Sequence, residues 1–137
     1  MRVVIDTNVF VSSFFGGNPR KVIDLWKTGQ VTLCLSGEVL DEYTKVLRRL
    51  GLPGDDLEDL LSLFAKGVHL LFTTKVPQVR VVKSDPDDDK FVACALALNA
   101  EVIITGDRAL KGVGGYQGVK IITPEQFLRM QPQGPPR

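Results

Sequence analysis

Apolar residues in this chain gather in short unbroken runs, and stretches with helical spacing separate one run from the next. The runs predict five β-strands, at residues 2–5, 31–35, 68–72, 102–104 and 120–122. A run that is apolar at every position, rather than at every second one, is typical of a strand covered on both faces. The pattern therefore predicts a buried sheet.

The stretches between the runs place apolar residues three and four positions apart, which predicts α-helices. We expect helices over residues 18–29, 36–50, 57–67, 85–99 and 124–130, and irregular chain over 73–82 and 112–118. Strands that alternate with helices are typical of an α/β fold, in which a parallel sheet lies between two helical layers. We expect this three-layer α/β/α domain to span residues 1–130, and the proline-rich residues 131–137 to form a disordered tail.

Acidic residues stand where such a fold would bring them together. Asp6 and Asp107 each follow a predicted strand, while Glu42 and Asp89 lie near the beginnings of predicted helices. Crossover helices run antiparallel to the strands, so strand carboxyl ends and helix first turns share one edge of the sheet. Converging carboxylates repel one another unless a cation lies between them, which predicts a metal site. Ligands that are all oxygen favour Mg²⁺ or Mn²⁺.

Each of these acids also has an ordinary structural explanation. Asp6 and Asp107 could be a helix cap and a turn residue. Glu42 flanks the apolar stripe of its helix and could pair with Lys45 or Arg49. The metal site is favoured because all four acids are expected at the same edge of the sheet.

Acids are most crowded at residues 85–89, where every position except Pro86 is Asp. Capping and the helix dipole account for some of them. Four acids exceed what the start of one helix requires, which again indicates a cation. Periodicity does not choose between Asp88 and Asp89, because residues 91–98 are apolar on every side of the helix.

Polar and basic residues near the same edge are candidates for supporting roles. Thr105 and Asn8 could hydrogen-bond neighbouring carboxylates and orient them. Ordinary surface charge is the simpler explanation for each basic residue, but some could hold substrate phosphates. The candidates for that role are Lys90 and Arg108, with Arg20, Lys21 and Lys111 as further ones.

Composition narrows the range of functions. The 137 residues are 44% hydrophobic with a formal net charge of +1, which suits one folded domain without an overall basic field. No apolar run reaches the roughly 20 residues of a membrane span. A single histidine, His69, excludes a catalytic pair of histidines. Cys34 and Cys94 lie in apolar stretches, so we expect buried free thiols in a reducing cytoplasm.

Segments at the predicted sheet edge resemble the PIN domain family, specifically the bacterial toxin-component proteins similar to VapC-type ribonucleases. The resemblance covers residues 2 to about 128 and is carried by Asp6–Val9, Ser36–Tyr43, Asp85–Ala95 and Ile103–Asp107. The family spacing of Asp, two residues, an apolar residue and Ala matches Asp89, and so selects it over Asp88.

The resemblance implies a strand order of 3-2-1-4-5 and metal-dependent hydrolysis of RNA. It implies that Asp6, Glu42, Asp89 and Asp107 are the catalytic ligands of Mg²⁺ or Mn²⁺. It also implies a homodimer and a small antitoxin protein as partner, for which the apolar segment Phe14–Gly17 is a candidate contact. Many members carry one more acid a few residues after the last ligand, where this chain has Arg108, Ala109 and Leu110.

Two other functions compete with the ribonuclease hypothesis. A phosphatase with an aspartyl nucleophile would require a second Asp two residues after Asp6, and Asn8 occupies that position. A non-catalytic module that binds RNA or a protein would have no reason to bear the repulsion among the acids.

Overall fold

All five predicted strands form, and a sixth joins them at one edge of the sheet. The computed structural model describes residues 1–52 and 54–131. Its strands are β1 (Arg2–Ile5), β2 (Thr32–Ser36), β3 (Leu70–Thr73), β4 (Val102–Ile104), β5 (Gly115–Tyr116) and β6 (Val119–Ile122).

The sheet has the order β3-β2-β1-β4-β6-β5, and all neighbours are parallel except β5 and β6. The predicted order 3-2-1-4-5 is found for the five predicted strands, and β5 adds a short hairpin outside it. Gln117 and Gly118 both have positive φ, at 47° and 87°, which suits the tight turn of an antiparallel hairpin. The prediction of irregular chain over 112–118 is therefore wrong in part.

Helices cover both faces of the sheet. They are α1 (Thr7–Ser13), α2 (Gly17–Lys27), α3 (Gly37–Arg49), α4 (Gly54–Ala65), α5 (Asp89–Ala97), α6 (Arg108–Val113) and α7 (Pro124–Met130), with a short 3-10 helix at Pro86–Asp88 before α5. The hydroxyl of Ser36 accepts a hydrogen bond from the Val39 amide at 3.2 Å and caps α3. The pattern did not predict α1 and α6, because helices of about two turns are too short to show periodicity.

An aromatic cluster fixes α3 against the end of the central strand. Phe10, Trp26, Tyr43 and Phe64 pack together, with the Phe10 and Tyr43 ring centroids 4.6 Å apart. The buried Tyr43 hydroxyl donates to the Ile5 carbonyl oxygen. Because Tyr43 follows Glu42 in α3 and Ile5 precedes Asp6, this bond brings the two acids to the same edge.

In the ranges 1–52 and 54–131, no helix has both the length and the apolar character needed to cross a membrane. The predicted tail lies outside the described residues except for Gln131, which directly follows α7.

Candidate metal centre

Asp6 and Asp107 come from neighbouring parallel strands and are joined through one threonine. Residues Ile5 and Ile104 are partners in the β1–β4 ladder, so the next residues of both strands leave the sheet together. Thr105 is fully buried, and its hydroxyl donates to Asp6 Oδ2 at 2.6 Å while accepting from the Asp107 amide at 2.9 Å. The predicted support role of Thr105 thus corresponds to a bridge between two of the predicted ligands.

Asp6 and Asp107 differ in whether capping of the following helix accounts for their side chains. Asp107 Oδ2 accepts from the Leu110 amide at 3.0 Å and caps α6, so a structural role accounts for one of its oxygens. Asp6 precedes α1, yet its side chain makes no capping hydrogen bond to that helix. At 3% exposure it is a buried carboxylate whose clear side-chain partner is Thr105, outside that helix. Burial of an acid without a cap role is a reason to look for a cation.

Asp88, rather than Asp89, is the acid of the 85–89 segment that faces this pair. The pKa of Asp88 is raised to about 8, chiefly by burial and then by the adjacent Asp107 carboxylate, with smaller contributions from Asp85 and Asp6. Its Oδ2 is buried, and no hydrogen-bond donor among the described residues reaches it. We call Asp6, Asp88 and Asp107 the acidic cluster.

Asp89 has a different set of neighbours. Its Oδ1 accepts from the backbone amides of Val81 and Val82 at 3.0 and 2.8 Å, and so fastens the connector that precedes the segment to the start of α5. The choice of Asp89 as a metal ligand stays a prediction, but the contact with Asp107 is made by Asp88. The excess of acids at 85–89 was the available sign that more than one of them has a role.

Glu42 lies on the other side of the site with both oxygens already bound. Oε2 accepts from the Thr7 hydroxyl, and Oε1 lies 2.7 Å from Lys90 Nζ. The same ammonium lies 3.2 Å from an oxygen of Asp87. We call Glu42, Asp87 and Lys90 the lysine cluster. The sequence analysis named Lys90 as a candidate phosphate contact. In the structure its ammonium binds two carboxylates instead.

The two clusters differ in whether a cation balances the charge of their carboxylates. Burial raises the pKa of Asp6, and the Asp107 and Glu42 carboxylates add to the rise, while the Thr105 hydroxyl and the nearby Asn8 amide oppose it. Ion pairs between described residues involve Glu42, Asp87 and Glu125, and none involves a member of the acidic cluster. The acidic cluster thus holds partly buried negative charge without a cation of its own.

The donor set of the acidic cluster suits Mg²⁺ or Mn²⁺, because its side chains offer only oxygen atoms. The buried Asp88 Oδ2 supplies a ligand atom to which no group in residues 1–52 and 54–131 donates a hydrogen bond. No three acidic, histidine or cysteine side chains in the described ranges already converge in a geometry that would hold a metal. Binding therefore requires the carboxylates to draw closer together, as a cation would cause them to do.

Clefts on two sides of Asp107 lead to the acidic cluster, and Arg108 lies on the wall of both. One, of about 680 Å³, runs past Lys83 and Ser84; the other, of about 510 Å³, runs past Asn8 and Ser12. Arg108 is exposed, so its predicted contact with phosphates is sterically open. Arg20 instead donates to the Ser13 and Phe14 carbonyl oxygens at 3.1 and 3.2 Å, at the end of α1.

Comparisons with known proteins identify the kind of domain. Residues 2–109 match a family model described as a PIN domain. The chain is also 30% identical, over 144 aligned positions, to an uncharacterized protein of Methanocaldococcus jannaschii, with 93% of this chain and 90% of the relative covered. The name of that relative states no activity, so it adds nothing to the toxin hypothesis.

Proposed function

The chain belongs to the PIN domain family, whose members are generally metal-dependent nucleases, and we propose that it is an Mg²⁺- or Mn²⁺-dependent endoribonuclease. The proposed reaction is hydrolysis of phosphodiester bonds within RNA. The observation that carries the proposal is the buried, unpartnered Asp88 Oδ2 beside Asp107, at the sheet edge where β1 and β4 end.

The acidic cluster is the proposed catalytic centre. Asp6 and Asp107 would hold the ion from adjacent strand ends, and Asp88 would complete the ligand set from the turn before α5. Thr105 would keep Asp6 and the chain at Asp107 in fixed relative positions through its two hydrogen bonds. A divalent ion, when bound, polarises the phosphoryl group and lowers the pKa of a water molecule. Glu42 would contribute charge from the lysine cluster.

The substrate assignment has two parts with different support. The clefts on either side of Asp107 are open and both are lined by Arg108, which we propose as the contact for a phosphate beside the scissile bond. These features suit a nucleic-acid strand. The choice of RNA over DNA, and the role as toxin of a toxin–antitoxin pair, come from the resemblance to the VapC-type proteins.

We also propose a protein partner and a homodimer on the same ground. Phe15 is 78% exposed in the loop after α1, and a partner that covered it would lie close to the helix that follows Asp6. Light scattering of the pure protein tests the dimer, which should have about twice the 15.1 kDa of one chain. A single-chain mass at high concentration would refute it.

A non-catalytic module is the second candidate, and one observation favours it. Glu42 has both oxygens bound by Thr7 and Lys90, and no ready-made group of three ligands exists among the described residues. A protein of this kind would bind RNA or a partner without cutting it.

The test uses single-stranded RNA and DNA of one sequence, each labelled at one end, with Mn²⁺ or with chelator. We expect metal-dependent cutting of RNA only. Asp6→Asn should abolish it, whereas Asp41→Asn, which removes an exposed acid beside Glu42, should cut as fast as the unchanged protein. Binding of RNA without any cutting would instead support the non-catalytic module, and equal cutting of DNA would remove the RNA assignment.

A further inference from the structure

We propose that Lys90 is a built-in cation which fills the place of a second divalent ion beside Glu42, so that the centre binds one metal ion. This inference rests on the proposed function, because it takes the acidic cluster to be the metal site. Lys90 would be a positioning residue, since it acts on the carboxylates and not on the reacting atoms.

The contacts of Lys90 are those expected of an ion held between carboxylates. Its ammonium lies 2.7 Å from Glu42 and 3.2 Å from Asp87. The side chain is 13% exposed and that of Glu42 is 21% exposed, so the pair is largely removed from solvent. An ion pair in such surroundings is much less screened than one on the surface.

A metal ion at Glu42 Oε1 would have to displace this ammonium, and one at Oε2 would lie beside it. Displacement would leave a cation in a largely desolvated position without its partner, and breaking one half of such a pair is strongly unfavourable. If Lys90 stayed in place, a divalent ion at Glu42 would face its positive charge at close range. Both routes disfavour a second ion at this position.

The acidic cluster presents the opposite situation. None of its three carboxylates takes part in an ion pair among the described residues, and Asp88 Oδ2 has no donor there. Three carboxyl groups that converge without a cation favour an ion from solution, which would take the place of the proton that Asp88 retains. One edge of the sheet thus contains a place that needs an external cation and a place that already has one.

The sequence after Asp107 also supports the binding of a single metal ion. Arg108, Ala109 and Leu110 begin α6, and none offers a carboxylate. A second ion beside Glu42 would therefore have to share that carboxylate with Lys90, which also binds Asp87.

The experiment counts bound Mn²⁺ by titration calorimetry, and by the spin coupling that two neighbouring Mn²⁺ ions show in electron paramagnetic resonance. We expect one ion per chain in the unchanged protein and no coupling. Lys90→Gln should bind two ions and show coupling, while Lys90→Arg should restore the single ion because it keeps the charge. Lys45→Gln removes an exposed lysine from the cleft that Glu42 and Lys90 also line, and this variant should still bind one Mn²⁺ ion.

The outcomes separate this inference from the proposed function. Two ions in the unchanged protein, or one in Lys90→Gln, would overturn the role of Lys90 and leave the proposed nuclease standing. No bound ion in the unchanged protein would overturn both. Lys90→Met keeps the apolar stem and is measured in parallel, with circular dichroism as the test of folding, so that one misfolded variant does not decide the result.

Discussion

The acidic cluster and the lysine cluster both place carboxylates beside a threonine hydroxyl, but they differ in charge balance. Thr105 binds Asp6 in the first, and Thr7 binds Glu42 in the second. The lysine cluster satisfies its carboxylates with an ammonium 2.7 Å from Glu42, whereas the acidic cluster has no cation among the described residues. Under the proposed function, the difference means that position at the sheet edge does not by itself make an acid a metal ligand. The decisive property is whether the protein already supplies the counter-charge.

The largest expected effect is a loss of Mn²⁺ affinity, compared between one variant in each cluster. Asp107→Asn keeps an oxygen that can cap α6 but removes one charge from the acidic cluster. We expect at least about a hundredfold loss of Mn²⁺ affinity, because even the outer partners of metal ligands cost about 10- to 100-fold. Glu42→Gln should cost less than about tenfold by the same comparison, since Thr7 and Lys90 already bind both of its oxygens.

Calorimetry with Mn²⁺ and initial rates of RNA cleavage measure both variants. Equal losses in the two would mean that Glu42 is a direct ligand, and the division of the site into two clusters would fail. Asp41→Asn serves as the control for removing an exposed acid from α3.

The next comparison concerns neighbours in the chain, Asp88 and Asp89. Asp88→Asn should weaken Mn²⁺ binding as strongly as Asp107→Asn, yet raise the stability of the metal-free protein, because it removes a buried carboxylate that has no partner. Asp89→Ala should leave Mn²⁺ affinity nearly unchanged. It should lower the free energy of unfolding by about 1–3 kcal/mol, since the amides of Val81 and Val82 lose their acceptor.

Urea unfolding in chelator gives the stabilities, and calorimetry gives the affinities. The reverse pattern, with metal binding lost in Asp89→Ala and kept in Asp88→Asn, would return Asp89 to the ligand set that the family spacing implies. That result would also show that the connector is held by something other than Asp89.

Much of the fold could be predicted from the sequence, because strands buried on both faces leave unbroken apolar runs. The runs predicted β1, β2, β3, β4 and β6 within about two residues of the observed positions. The order of those five strands came from the resemblance. The two-residue strand β5 could not be predicted from the apolar pattern, because its pairing depends on a turn at positive φ and not on an apolar run.

The candidate site was predictable in part for a similar reason. Asp6 directly follows β1, and Asp107 follows β4 by only three residues, so the two strand ends and the Thr105 bridge bring these acids together. The orientation of Asp88 and Asp89 depends on the 3-10 helix at Pro86–Asp88, whose turn differs from that of α5. The bond between Lys90 and Glu42 joins residues 48 positions apart, and no local pattern reports such a contact.

A smaller effect is expected from the two threonines. Thr105→Val leaves Asp6 Oδ2 without its donor and the Asp107 amide without its acceptor. We expect a loss of Mn²⁺ affinity of about 10- to 100-fold. Thr7→Val removes one bond to Glu42, which retains Lys90, so the loss should stay below about tenfold by the same measure. Calorimetry decides, and equal losses would place Glu42 and Asp6 in one common site.

The last expected effect is a dependence of stability on pH that belongs to the acidic cluster. Burial and the Asp107 carboxylate raise the pKa of Asp88 to about 8, whereas the unfolded chain releases this proton at a pKa near 3.8. Between these values the folded state holds more protons than the unfolded state, so stability must fall as pH rises.

The melting temperature in chelator should therefore decrease from pH 5 to pH 8. Asp88→Asn should flatten this slope, and saturating Mn²⁺ should do the same, because an ion replaces the proton as the partner of the carboxylate. Lys90→Gln should keep the slope, since the lysine cluster is not its source. A slope as steep in Asp88→Asn as in the unchanged protein would place the repulsion elsewhere and undo the contrast between the two clusters, since Asp6 accounts only for a remainder.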